Sequence, residues 1–165
     1  MSTSMTRRQA PALRAAVLFL SLACTAVLAA GDPSALEAPA ADADPVLERY
    51  AGFSKKKDWP GAAAVMEEAL KRSPAKADYH NLYAYALRKG PRPDMERVFR
   101  HYQEALRLDP KHRGAHEYIG EAYLMTGNPA KAKEHLAALD RLCRMGCEEY
   151  TDPKKAIAAY ESRKK

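Results

Sequence analysis

The chain contains no glycine-rich loop that could wrap a phosphate, no serine elbow, and no pair of carboxylates in a recognisable catalytic setting. Phosphoryl transfer and serine hydrolysis therefore lack their machinery. The nearest approach to a metalloprotease motif, His116-Glu117-Tyr118-Ile119-Gly120, ends on glycine where a second histidine must stand. Excess charge of one sign is scarce as well. The formal net charge is +6, but three of the 27 Lys+Arg and none of the 21 Asp+Glu lie in the first thirty residues, which leaves +3 over residues 31–165. Nucleic acid needs a concentrated basic face to displace counterions, so no nucleic-acid partner is expected. Lys55-Lys56-Lys57 reads as a solvated hairpin loop, and the basic end at Arg163-Lys164-Lys165 as a frayed tail. Cysteine is limited to three residues, and long apolar sequence to one run, Ala15 to Ala30. That run is shorter than the roughly 20 apolar residues a spanning helix requires.

What is present at the start is the layout of an export signal. Arg7, Arg8 and Arg14 precede the apolar run, and small residues close it before Gly31-Asp32. A basic start, a short apolar stretch and a small-residue end suit membrane entry followed by cleavage. Residues 1–30 are expected to be removed, with Val27-x-Ala29 and Leu28-x-Ala30 both acceptable sites. The expected location is the bacterial periplasm, with a membrane-anchored form facing the periplasm as the alternative. Contact with the membrane is then transient unless the segment stays uncleaved or is lipidated at Cys24, within the loose lipobox Ser21-Leu22-Ala23-Cys24. Thr6-Arg7-Arg8 lacks the apolar residues expected after a twin-arginine motif. Residues 31–44, rich in Ala, Pro and Asp, read as a flexible linker.

From Pro45 the pattern becomes periodic. Ala62, Met66 and Ala69, then Val98, Tyr102 and Ala105, then Ala132, Leu136 and Leu139 repeat one helical face at steps of 36 and 34 residues. Such i, i+4, i+7 sets must be buried. Between them, His80-x2-Tyr83-Ala84-x2-Leu87 maps onto His116-x2-Ile119-Gly120-x2-Tyr123, with a small residue, Ala84 or Gly120, where the partner helix comes close. The unequal steps place two extra residues in the loop Lys89 to Asp94. Pro74 and Pro110 close two hairpins, since proline cannot continue a helix.

A mid-thirties period with this order of residues resembles the tetratricopeptide repeat. The resemblance covers about residues 45–142 and implies an all-α fold, a short right-handed α-solenoid of stacked helix-turn-helix repeats, with three repeats in residues 45–150. Arg49-Tyr50 departs from the pattern where Ile119-Gly120 follow it. Thr151-Asp152-Pro153 reads as the start of a capping helix over residues 151–165, which an array needs to cover its last stacking face.

The resemblance also implies scaffolding or adaptor work without catalysis, on a protein or peptide partner held by the inner wall of first helices. Asn81, Tyr85 and Arg88 are expected to share the exposed face of one such helix, and Glu117, Glu121 and Leu124 that of the next. An ordinary wet surface is the competing reading. The Lys and Asn with which some relatives clamp a terminal carboxylate are absent, since Leu47, Ala51 and Gly114 stand there. No metal or cofactor is expected. His80 and His116, and His101 and His135, read as duplicated hairpin positions rather than a converging cluster, and His112 as a turn residue. Three readings of Cys143 and Cys147 stand together: a disulfide staple, a reversible thiol-redox pair, and a metal-handling pair.

Overall fold

The computed structural model describes residues 44–143 and 146–163. The expected export segment, residues 1–30, and residues 31–43 of the expected linker lie outside the described residues. Among the described residues there are seven helices and no strand: α1 Pro45–Lys55, α2 Trp59–Arg72, α3 Ala77–Lys89, α4 Met95–Leu108, α5 Arg113–Met125, α6 Pro129–Leu142 and α7 Glu148–Ser162. Local chemistry sets their starts. Asp44, Asp58, Asp94 and Asn128 each accept a backbone N–H of the first turn through a side-chain oxygen, which satisfies a donor the helix cannot. Proline in the first turn of α1, α2 and α6 adds a preset φ without removing a needed donor. Asp44 belongs to the expected linker, yet it is a tethered cap: Oδ2 accepts from the Tyr79 hydroxyl at 2.6 Å and from Lys76 Nζ at 3.1 Å.

The helices pair as α1–α2, α3–α4 and α5–α6, and successive hairpins stack through α2–α3 and α4–α5. The loop between α3 and α4 spans residues 90–94, against 56–58 and 126–128 in the other two hairpins. This is the expected two-residue insertion. The aligned faces fill the seams. Ala62, Met66, Ala69, Val98, Tyr102, Ala105, Ala132 and Leu139 are buried, and Leu136 is half-buried. One core joins Tyr50, Met66, Tyr79 and Tyr83; a second joins Ala84, Val98, Tyr102 and Ile119. Tyr50, in the irregular first unit, points inward and leaves Arg49 to solvent.

The end of the array differs from expectation. Helix α7 begins at Glu148, not at Thr151, so Pro153 lies inside the helix, buried. Gly146 at φ +82° turns the chain, Cys147 occupies the cap position, and Glu148 and Glu149 place negative charge on the first turn, where the helix dipole favours it. The helix packs against both α5 and α6, with Ile157 buried and Ala156 and Tyr160 half-buried. It therefore stands where the first helix of a further repeat would stand.

Candidate functional site on the inner wall

Helices α3, α5 and α7 form successive staves of one wall, and their contacts fall in rows about one turn apart. Asn81 on α3 meets Gly114 on α5: a methyl built on Gly114 would come 3.4 Å from Asn81 Nδ2. Tyr85 meets Tyr118 with ring centroids 4.6 Å apart, and Trp59, at the start of α2, meets the other side of Tyr85 at 5.6 Å. Arg88 meets Glu121, Nη2 to Oε2, at 2.6 Å.

These contacts overturn part of the expected surface. Asn81 is 4% exposed and Arg88 6%, so neither shares an exposed face with Tyr85. The reason is the closeness of the staves. Arg88 is consumed by the fold: besides Glu121, it donates to the Tyr102 hydroxyl at 3.3 Å and to Met125 Sδ at 3.7 Å, and its guanidinium lies 5.3 Å from the Tyr85 ring and 5.9 Å from that of Tyr118. Burial works against its charge, but Tyr102 and Glu121 more than offset this and hold it protonated. Tyr85, Glu117, Glu121 and Leu124 remain partly accessible. Trp59 and Tyr118 belong to the wall and were not expected there. The signal lies in a 33-residue offset linking Asn81 to Gly114, Tyr85 to Tyr118 and Arg88 to Glu121, distinct from the 36-residue repeat step.

Electrostatics single out Glu117. Partial burial, followed by the charges of Glu121, Glu149 and Asp152, raises its carboxyl to about 7, and Arg88 counters them only weakly. The Tyr118 hydroxyl is likewise pushed up to about 12, by burial and then Glu117. Beside Glu121 the wall opens into a cavity of about 330 Å³ lined by Arg88 of α3, Leu124 and Met125 of α5, and Ala156, Ala159, Tyr160 and Arg163 at α7. Met125 is 55% exposed, the large apolar side chain left most open to water among the described residues.

Four of the five histidines form two pairs. His80 Nδ1 lies 2.9 Å from His101 Nδ1, and His116 Nδ1 lies 2.9 Å from His135 Nδ1. The positions are duplicated as expected, but each hairpin also brings its two imidazoles together, which the reading of isolated duplicates missed. His80 Nε2 faces the Pro74 carbonyl at 2.9 Å and His116 Nε2 the Pro110 carbonyl at 3.1 Å. Only an N–H can serve a carbonyl, so both Nε2 atoms donate and both Nδ1 atoms accept from their partners. Burial, then the neighbouring imidazole, pushes His101 and His135 down to about 4. His112 caps α5, its Nδ1 accepting from Ala115 N at 3.2 Å, while Nε2 lies 3.0 Å from Asp78.

Cys143 and Cys147 are joined in a disulfide with Cα atoms 5.7 Å apart. Their sulfurs and a Glu149 carboxylate oxygen lie within 4.8 Å of one another. Two sulfurs bonded to each other cannot act as thiolate ligands, so this state is a staple between α6 and α7.

The tetratricopeptide repeat profile matches residues 53–96 and 100–144, more than half of the sequence. The chain belongs to the tetratricopeptide repeat family, and as such it is built as a protein–protein interaction module. Among solved structures it is similar to the TPR2B domain of yeast Sti1 in a complex with pHsp70, at TM-score 0.63 and 22% identity over 73% of this chain and 96% of that one. It is also similar to the TPR domain of Arabidopsis OM64, at TM-score 0.62 and 19% identity over 70% and 93%. MamA from Desulfovibrio magneticus gives TM-score 0.54 and 24% identity over 59% and 54%. These identities establish a shared fold. No curated protein matches the sequence.

Proposed function

We propose that the inner wall holds an extended segment of a partner protein, and that the protein does its work by that binding. The observation that carries this is the half-buried row Trp59, Tyr85 and Tyr118. Tyrosine and tryptophan bury much area for little lost side-chain freedom, which makes them anchors of peptide interfaces. Here the buried Arg88 lies against the Tyr85 and Tyr118 rings, so little ordering of these two remains to be done on binding. The yeast Sti1 domain of similar fold is seen with an Hsp70 partner, which supports a peptide ligand without naming this one.

The test is selection of peptides from a random display library on the full chain. Binding should fall at least tenfold in Tyr85→Ala and Tyr118→Ala while the melting temperature stays within a few degrees, the range expected for partly exposed sites. Selected peptides that bind both variants as tightly as wild type would reject the wall as the site.

Export is part of the proposal. Arg7, Arg8 and Arg14 ahead of a short apolar run support it, and a disulfide suits an oxidising compartment. Sequencing the amino terminus of protein recovered from the source tests it: a start near Ala30 or Gly31 is expected, and an intact Met1 would refute cleavage.

A further inference from the structure

Resting on that reading of the wall, we propose that the occupant is an extended segment carrying a basic side chain and a bulky apolar side chain three residues apart, the first against Glu117 and the second in the cavity between α5 and α7. Four acidic groups of these two helices, Glu117, Glu121, Glu149 and Asp152, act on one another electrostatically. Three are already paired: Glu121 with Arg88 at 2.6 Å, Glu149 with Arg113 at 3.5 Å, and Asp152 with Lys155 at 3.6 Å. Glu117 has no ion pair among the described residues. It faces Arg88 and Tyr85 from α3, Glu121 on its own helix, and Glu149 and Asp152 from α7. A cation brought by a partner meets attraction from all four carboxylates, and the cations beside them, Arg88, Arg113 and Lys155, are each already held by one of the other three.

A second, independent observation points to the same kind of ligand. Asn81 is buried, and its Oδ1 accepts no hydrogen bond among the described residues. Gly114, one turn before Glu117 on α5, puts no side chain over the amide. A buried acceptor left bare costs about 1–3 kcal/mol. The N–H groups of a guanidinium or ammonium suit both acceptors, Asn81 Oδ1 and the Glu117 carboxylate, because these ions have several donors and no acceptor.

The spacing follows from helix geometry. Leu124, at the mouth of the cavity, is two turns beyond Glu117, about 10.5 Å along α5. An extended chain advances about 3.3–3.6 Å per residue, so three residues cover that distance. The cavity, about 330 Å³, is lined on its apolar side by Leu124, Met125, Ala156 and Ala159 and on its polar side by Arg88, Glu121, Tyr160 and Arg163, and its apolar side accepts one leucine, methionine or aromatic side chain.

The same library selection supplies the test, read for consensus and repeated on Glu117→Gln. Enriched peptides should show Arg or Lys three positions from a bulky apolar residue. They should bind Glu117→Gln about tenfold more weakly, the loss of one charged contact. Because Glu117→Gln removes a carboxylate crowded by three others, its melting temperature should rise or hold, so weaker binding cannot be attributed to unfolding. Peptides that need Tyr85 and Tyr118 but show no basic residue, or bind Glu117→Gln as well as wild type, overturn this inference and leave the wall as the site. Peptides indifferent to Tyr85, Tyr118 and Glu117 alike overturn both.

Discussion

The second and third hairpins, α3–α4 and α5–α6, are built to one plan on their outer side and to two different plans on the inner wall. Each carries the same latch, an imidazole pair whose first member also donates to the carbonyl of the proline in the loop before it. On the wall, by contrast, the repeat step of 36 sets Asn81 against Glu117, Tyr85 against Glu121 and Arg88 against Leu124. Positions that hold a hairpin together recur because each unit has the same packing problem. Positions on the wall are free of that demand, so each stave has its own chemistry.

The largest effect that sharpens this contrast should come from Arg88, a charged wall residue drawn into packing. Glu121→Ala leaves the Arg88 cation buried without its carboxylate, and we expect about 2–3 kcal/mol of lost stability by urea unfolding, toward the low end of a broken buried pair because Glu121 is partly solvated. Arg88→Met should cost less, since Glu121 alone can turn to water. Equal costs would mean that Arg88 is not sealed from solvent. Next, reducing the Cys143–Cys147 bond should lower stability by about 2 kcal/mol, the chain-entropy value for so short a loop. Hydrogen exchange should accelerate in α7 before α3. Mass spectrometry of native protein should find the bond closed after mild reductant; a bond that opens readily would favour a thiol-redox role.

The latches give a pH test. His101 and His135 lie well below their ordinary value, so the folded state binds fewer protons than the unfolded chain between pH 6.5 and 4. Their contribution is complete above pH 6.5 and is lost as pH falls toward 4. Glu117 acts in the opposite sense: raised to about 7, it contributes below about pH 4.5 and loses that contribution as pH rises through 7. Stability measured from pH 6.5 down to 4.5 should therefore fall, and fall more steeply in Glu117→Gln. An unchanged slope would show that the wall and the latches do not oppose one another in this way. The smallest effect compares two glycines. Gly120 matches Ala84, and a methyl there would sit 3.8 Å from Ala132 O, an ordinary contact, so Gly120→Ala should stabilise by about 0.5–1 kcal/mol in thermal unfolding. At Gly61 the same methyl would overlap the Phe53 ring, so Gly61→Ala should destabilise.

Most of the fold was legible because burial repeats: Ala62, Val98 and Ala132 announce the seam at a fixed step, and the irregular loop at 90–94 announces itself by breaking that step. The start of α7 was not legible from Thr151-Asp152-Pro153, because the turn is set by Gly146 and the nearby disulfide, which override a local capping pattern. The wall was half legible. Tyr85, Glu117, Glu121 and Leu124 follow from helical phase, but the burial of Asn81 and Arg88 depends on how near α5 approaches α3, a distance governed by Gly114 that periodicity does not encode. The imidazole pairs were hidden for a related reason: a repeat shows which positions correspond between hairpins, and is silent on which ones touch within a hairpin.

Asp44 gives the first helix an unusual mechanical position. Its side chain caps α1, yet it is also clamped by Tyr79 and Lys76 at the head of α3. Tension applied through the preceding residues is thereby delivered to the second hairpin as well as to α1, so the leading helix is shielded from peeling away alone. The same clamp would let a tether at that end of the chain bear load without unravelling what it holds.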